Sequence, residues 1–190
     1  MKNAKKILAL LLCAVLLVGA SVAGTLAYLT SNDTVTNTFT VGKVEITMDE
    51  AKVTVYGEKD GETRVDENEY KLIPGHTYLK DPTIHVGAES ENCWLFVKIE
   101  NGNTNATING LADNGWTQIE NSKYWAYKGA VVGAGADVKV FDSFTYATTV
   151  IDTTTDVDEE IVVTAYAIQS DNFATSDQAW AALKGQLNLT

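Results

Sequence analysis

"CWLFVKIE", Cys93 to Glu100, is the stretch on which the fold turns. Its side chains alternate with the period of two that belongs to a strand: Cys93, Leu95, Val97 and Ile99 share one face, while Trp94 and Phe96 lie opposite, followed by Lys98 and Glu100. The first face reads as core and the second as half covered. A second run, "IVVTAYAI" (Ile161 to Ile168), is apolar nearly throughout and reads as a central strand. Around these two, β-branched and aromatic residues gather in short runs broken by Gly, Asn and Asp. Further strands are expected at "TFTVGKVEIT" from Thr38, "AKVTVYG" from Ala51, "TYLKDPTIHVG" from Thr77, "GWTQIE" from Gly115, "KYWAYKGAV" from Lys123 and "VKVFDSFTYATTV" from Val138. About eight strands of this length suit two packed sheets, so the expected fold is all-β, a jelly-roll-like β-sandwich.

The connections carry their own signals. Asn101-Gly102, Asn109-Gly110 and Asn114-Gly115 suit tight turns, and Pro74-Gly75 suits a type II turn. Pro82 belongs on an edge or at a bulge, because it cannot donate to a ladder. "GEKDGETRVDENEY" (Gly57 to Tyr70) is charged and without periodicity, and reads as a long excursion or hairpin tip; "VGAGADV" (Val132 to Val138) reads as a flexible link. Near the C-terminus the logic becomes helical. Thr175 and Gln178 fit a capping box, Asp177 favours the positive end of the dipole, and Ala179, Trp180 and Leu183 form an apolar stripe ending near Gly185. This short C-terminal helix is expected to cover a sheet edge.

The N-terminus has the three parts of an export signal: Lys2, Lys5 and Lys6, an apolar run from Ile7 to Val18, and small residues through Gly24. Cleavage after Ala27 puts small side chains at Thr25 and Ala27 and makes Tyr28 the new N-terminus; cleavage after Ala23 and an uncleaved anchor are the alternatives. The expected organisation is a signal peptide at 1–27, a polar segment at 28–37 and one domain at 38–190. Removing the leader takes away three lysines and no acid, which leaves 11 basic and 25 acidic residues, a net charge of −14. Nucleic acid and anionic lipid headgroups are therefore poor partners, and contact with a membrane is expected only through the uncleaved signal. Cys13 lies within the leader, where Leu12 before it does not suit lipoprotein processing. Cys93 is then alone, a buried and inert thiol that can form no internal disulfide.

Little catalytic chemistry is visible. The histidines are His76 and His85, nine residues apart and outside any HExxH pattern, and an odd separation in a strand aims two rings at opposite faces. No GxSxG elbow is present. "DTTTDVDEE" (Asp152 to Glu160) has carboxylates for calcium but lacks the central glycine of an EF-hand loop, and reads as a solvated loop. Trp94, Trp116, Trp125 and Tyr127 are candidates to stack on sugars, although large side chains on strands more often fill a core. No catalytic residue, cofactor site or metal site is assigned.

Three stretches taken together resemble a known family: "GTLAYLTSNDTVTNTFTVGKVEI" from Gly24, "KLIPGHTYLKDPTIHV" from Lys71 and "VTAYAIQS" from Val163. The chain resembles the TasA/camelysin family of secreted Gram-positive proteins with a SipW-dependent type of signal peptide. Gly24, Thr25, Ala27 and Tyr28, followed by Asn37, Thr38, Phe39 and Gly42, carry the most specific part of the likeness. The resemblance implies a jelly-roll domain, export through a dedicated signal peptidase, and a place outside the cell or on its surface as a self-assembling subunit of the biofilm matrix. It also implies that the mature N-terminal segment passes to a neighbouring subunit and completes a sheet there. "TVTNTFTVGKVEI" is suited to that part, with β-branched residues, little charge and no Pro, and with Val35, Phe39 and Val41 on one face around Asn37. The alternative is that 38–47 is the first strand of its own domain, preceded by a tail. Two other classes are carried forward: a camelysin-type secreted metallopeptidase, which His76 and His85 would have to serve, and a carbohydrate-binding surface adhesin.

Overall fold

In the computed structural model, which describes residues 43–149 and 160–187, two paired stretches organise the domain. Thr77 to Val86 runs antiparallel to Asp137 to Tyr146, and both turn a corner midway. On one side of it β3 (Thr77–Leu79) pairs with β10 (Ser143–Tyr146), with Leu79 opposite Ser143. On the other, β4 (Thr83–Val86) pairs with β9 (Asp137–Lys139), with Thr83 opposite Lys139, so the register is unchanged across the bend. The ladder is carried through it by Lys80 N–H donating to Asp142 O (3.2 Å) and Val140 N–H donating to Pro82 O (2.8 Å). Each of two expected strands is thus present but bent, and contributes to two sheets. Pro82 sits at the bend, where it accepts from Val140 and, having no N–H, returns no bond.

The remaining strands are β1 (Ile46–Val53), β2 (Lys59–Val65), β5 (Cys93–Asn101), β6 (Ala106–Asn109), β7 (Trp116–Gln118), β8 (Tyr124–Tyr127) and β11 (Ile161–Gln169). They form three antiparallel sheets in the orders β2-β1-β4-β9, β3-β10-β6 and β11-β5-β8-β7. The all-β sandwich is as expected, with eleven strands among the described residues in place of about eight. The leader, the cleavage pair Ala27 and Tyr28, segment 28–37, the assembly residues Val35, Phe39 and Val41, and the acidic run Asp152 to Glu159 lie outside the described residues.

The main core lies where β1, β4 and β9 face β5, β7, β8 and β11. Ile84, Val86 and Val138 meet Cys93, Leu95, Val97, Ile99 and Trp116 there, with Val140 and Phe141 from the bend. This is the face that the alternation of "CWLFVKIE" assigns to the core. The opposite face is also buried, because α1 (Ser176–Leu187) lies over it: Trp94, Phe96 and Ile168 pack with Ala179 and Leu183. The helix therefore covers a sheet face, and the expectation of a covered edge is corrected. Thr175 caps it by accepting the Gln178 N–H (3.3 Å), while the Gln178 side chain accepts the Ala174 N–H (3.0 Å). Gly185 lies inside the last turn and does not end it.

Three more readings change. β1 runs through Asp49 and Glu50 where two strands were expected, because ion pairs satisfy both carboxylates. The charged stretch after Gly57 contains β2, which pairs with β1 through Glu50 opposite Val65 and Ala51 opposite Arg64. β11 pairs on one side only among the described residues, with β5, and so lies at an edge of its sheet. Its apolarity comes from cover above and below: Val163, Ala165 and Ala167 pack on the main core, and Tyr166 and Ile168 pack under α1. Of the turn glycines, Gly75, Gly110 and Gly115 have the positive φ that their sequence context suggests. The Ile73 carbonyl accepts the His76 N–H (3.0 Å) across Pro74-Gly75, as in a type II turn. Gly102 is not among the positive-φ glycines.

If α1 seals the second face, Phe96→Ala should lose about 3–5 kcal/mol and Leu183→Ala about 2–5 kcal/mol in urea unfolding. The two losses should be non-additive, because both residues belong to one cluster. Losses under about 1 kcal/mol would mean that this face does not depend on the helix.

Candidate assembly surface

The two histidines have separate partners. His76 follows the Pro74-Gly75 turn, with its Nε2 2.9 Å from the Tyr56 carbonyl and its ring edge-on to Tyr78. His85 lies on β4 beyond the bend, with Nδ1 2.7 Å from Asp137 and Nε2 2.9 Å from Asp49. Among the described residues no group of three or more His, Cys, Asp or Glu side chains is arranged to hold a metal ion.

The His85 surroundings form a staple between β1, β2 and the bend. Arg64 donates through Nε to Asp49, through Nη1 to Asp81 (3.3 Å), and through Nη2 to the Asp49 and Asp81 carbonyls (3.1 and 3.2 Å). Asp81 also accepts the Ala51 N–H (2.7 Å). Beside it, buried Glu50 accepts from Lys80 (2.6 Å) and from Asn68 (2.9 Å). Among the described residues no buried side-chain polar atom lacks a partner. The charged side chains of the network bond one another and the backbone, and among the described residues none of these bonds pairs a hydroxyl or thiol with a base. Partial burial opposes ionisation of Asp49, but hydrogen bonds from His85 and Arg64 with the Arg64 charge outweigh it and lower its pKa. The hydrogen bond to Asp49, against a smaller cost of burial, raises that of His85, with Asp137 adding to the effect. Burial pushes the Cys93 thiol up, in keeping with an inert side chain.

Trp94 and Trp116 are core residues whose indole N–H groups are spent on the Phe173 carbonyl (3.3 Å) and the Lys139 carbonyl (2.9 Å). Tyr127 is half-buried, its ring 5.4 Å from that of Trp116. Trp125, also half-buried, lines an open cleft of about 380 Å³ with Ile99, Ile108, Leu111 and Lys123.

The sheet edges differ in a way the sequence does not signal. Among the described residues the sheets end at β2, β9, β3, β6, β7 and β11. Strands β3, β7 and β9 have three residues each and β6 has four, while β2 carries Lys59, Asp60, Glu62 and Arg64. Short or charged edges of this kind resist strand addition. β11 has nine residues and no charge. Two hydrogen bonds fix its phase: Gly102 N–H to Glu160 O (2.9 Å) at one end and Ser170 N–H to Asn92 O (2.8 Å) at the other. Backbone groups of alternate residues bond β5, so those of Ile161, Val163, Ala165, Ala167 and Gln169 point away from it. The side chains of Ile161, Val163, Ala165 and Ala167 pack on the main core yet stay partly exposed, which makes β11 a seam in the sandwich.

No family model, curated protein or solved structure matches the chain. Among the described residues no helix is long and apolar enough to cross a membrane.

The staple gives a signed pH dependence. His85 is raised above its ordinary 6.5, so its stabilisation is complete below that value and is lost as pH rises through the folded pKa. Asp49 is lowered from its ordinary 3.8, so its share is present above that value and is lost as pH falls through the folded pKa. Urea unfolding should show His85→Gln destabilised relative to the parent at pH 5 and much less so at pH 9. An equal loss at both would mean that the imidazolium contributes nothing.

Proposed function

We propose that this protein is a secreted, non-enzymatic structural subunit that assembles outside the cell by adding the N-terminal segment of one copy to the β11 edge of another. The carrying observation is that edge: nine uncharged residues with outward backbone groups and a partly exposed core seam. The segment from Thr34 to Gly42 has matching properties. It also has nine residues and no charge, with Val35, Phe39 and Val41 on one face and threonines on the other. Added beside β11, its apolar face would meet the seam, where the small Ala165 and Ala167 leave room for an aromatic ring. The resemblance to the TasA/camelysin family points the same way, and signal-peptidase cleavage after Ala27 would release the segment from the membrane and so start assembly. The metallopeptidase alternative has no support from His76 and His85, whose partners are different and separate.

Electron microscopy and sizing of chains that begin at Tyr28 and at Thr38 test this. The longer chain should polymerise and the shorter should stay monomeric; equal polymerisation of both would end the strand-addition reading. A second reading, glycan binding, rests on the Trp125 cleft. If it holds, Trp125→Ala should abolish retention on a panel of cell-wall and capsule glycans while leaving polymerisation unchanged. No retention of the parent on that panel would exclude it.

A further inference from the structure

Four large apolar side chains stand exposed together at one end of the domain: Val55 (45%), Tyr56 (46%), Leu72 (37%) and Ile73 (43%). They belong to two loop segments held side by side. Lys71 N–H donates to the Val55 carbonyl (2.7 Å), and His76 Nε2 lies 2.9 Å from the Tyr56 carbonyl. The segments are also fixed from beneath: Tyr78 OH accepts the Ile73 N–H (2.5 Å) and donates to the Lys71 carbonyl (2.8 Å). The patch is therefore built on a held backbone, and an apolar cluster of this kind marks a contact surface.

Its position relative to Lys43, where the described residues begin, bears on the occupant. The described chain begins at Lys43, whose carbonyl accepts the Glu91 N–H (3.0 Å), next to Asn92, which bonds Ser170 just after β11. β1 then runs eight residues, roughly 25 Å, before Val55 and Tyr56. Lys43, where the described residues begin, and the patch thus lie at opposite poles. β11 spans the same two poles: it begins at Ile161, opposite Asn101, whose side chain donates to the Ala106 carbonyl (2.8 Å). Ala106 in turn is paired with Tyr146, which bonds the His76 carbonyl beside the patch.

These poles fix the polarity of exchange. A segment folding back from Lys43 onto its own β11 would start at the Gln169 end and run parallel to that strand. A segment arriving from another copy past the patch would enter at the Ile161 end and run antiparallel, the more stable pairing per residue.

Resting on the strand-addition reading, we infer that the Val55–Tyr56–Leu72–Ile73 pole is the second subunit contact, seating the Lys43/Glu91 pole of the copy that donates its segment. The contact is head-to-tail and does not close on itself, so it propagates as a filament.

Tyr56→Ser/Ile73→Asp in the chain beginning at Tyr28 tests this. Both side chains are more than two-fifths exposed, so the urea midpoint of the monomer should be unchanged. Sedimentation should show the critical concentration for polymerisation raised at least tenfold, while a synthetic peptide of residues 34–42 still binds the variant as it binds the parent. Polymerisation equal to the parent's would overturn the pole contact, whether the patch serves another protein or nothing, and would leave strand addition standing. Loss of peptide binding in parent and variant alike would instead sink strand addition, and the contact that rests on it.

Discussion

At Asp81-Pro82 on one strand and Phe141 on the other, a two-stranded ladder bends without losing register. Most of the domain depends on that bend. Backbone groups turned out of a sheet must find partners or lose solvation, and several at this bend have them. Pro82 needs no acceptor and its carbonyl takes the Val140 N–H, while the Asp81 carboxylate takes the Ala51 N–H and Arg64. Because the bend is tied down, the same two strands serve two cores. Ile84 and Val138 enter the main sandwich core, and Tyr78 and Phe144, stacked with ring centroids 5.0 Å apart, enter a smaller aromatic cluster.

The charged residues around the bend act as mechanical parts. Glu50 is buried beside Lys80, and removing one member of such a pair typically costs about 3–5 kcal/mol because the other charge is left unpaired. That dependence explains how a stretch as charged as Lys59 to Val65 is held as a strand: Arg64 is drawn onto Asp49 and Asp81. The same network occupies both ring nitrogens of His85, with Asp137 and Asp49.

What was legible in the sequence followed from period and turn chemistry. β5 was readable because alternation of Cys93, Leu95, Val97 and Ile99 against Trp94 and Phe96 is a local property. The Pro74-Gly75 turn and the Thr175 cap were readable for the same reason. β2 was not, since what holds it lies 15 and 17 residues away in Asp49 and Asp81. β11 was misread for a different physical reason. Apolar residues on both faces report cover above and below, from the core and α1, and carry no information about lateral neighbours. The most distinctive surface of the protein was therefore hidden by the reading of that strand as central.

Edges other than β11 are blunted among the described residues, by brevity at β3, β6, β7 and β9 and by charge at β2. A chain under pressure only to stay monomeric would treat β11 in the same way, since one lysine there would suffice. Its nine residues are instead uncharged in a chain that is strongly acidic, with a net charge of −11 over the whole sequence. Acidity of that size keeps copies apart at long range, yet its reach is only about 8 Å at physiological salt. A strand that has reached the edge is held by backbone bonds and apolar side chains, which such screening leaves intact. Repulsion at a distance and adhesion at one seam are compatible, and under the proposed strand addition they would together confine association to the ordered contact.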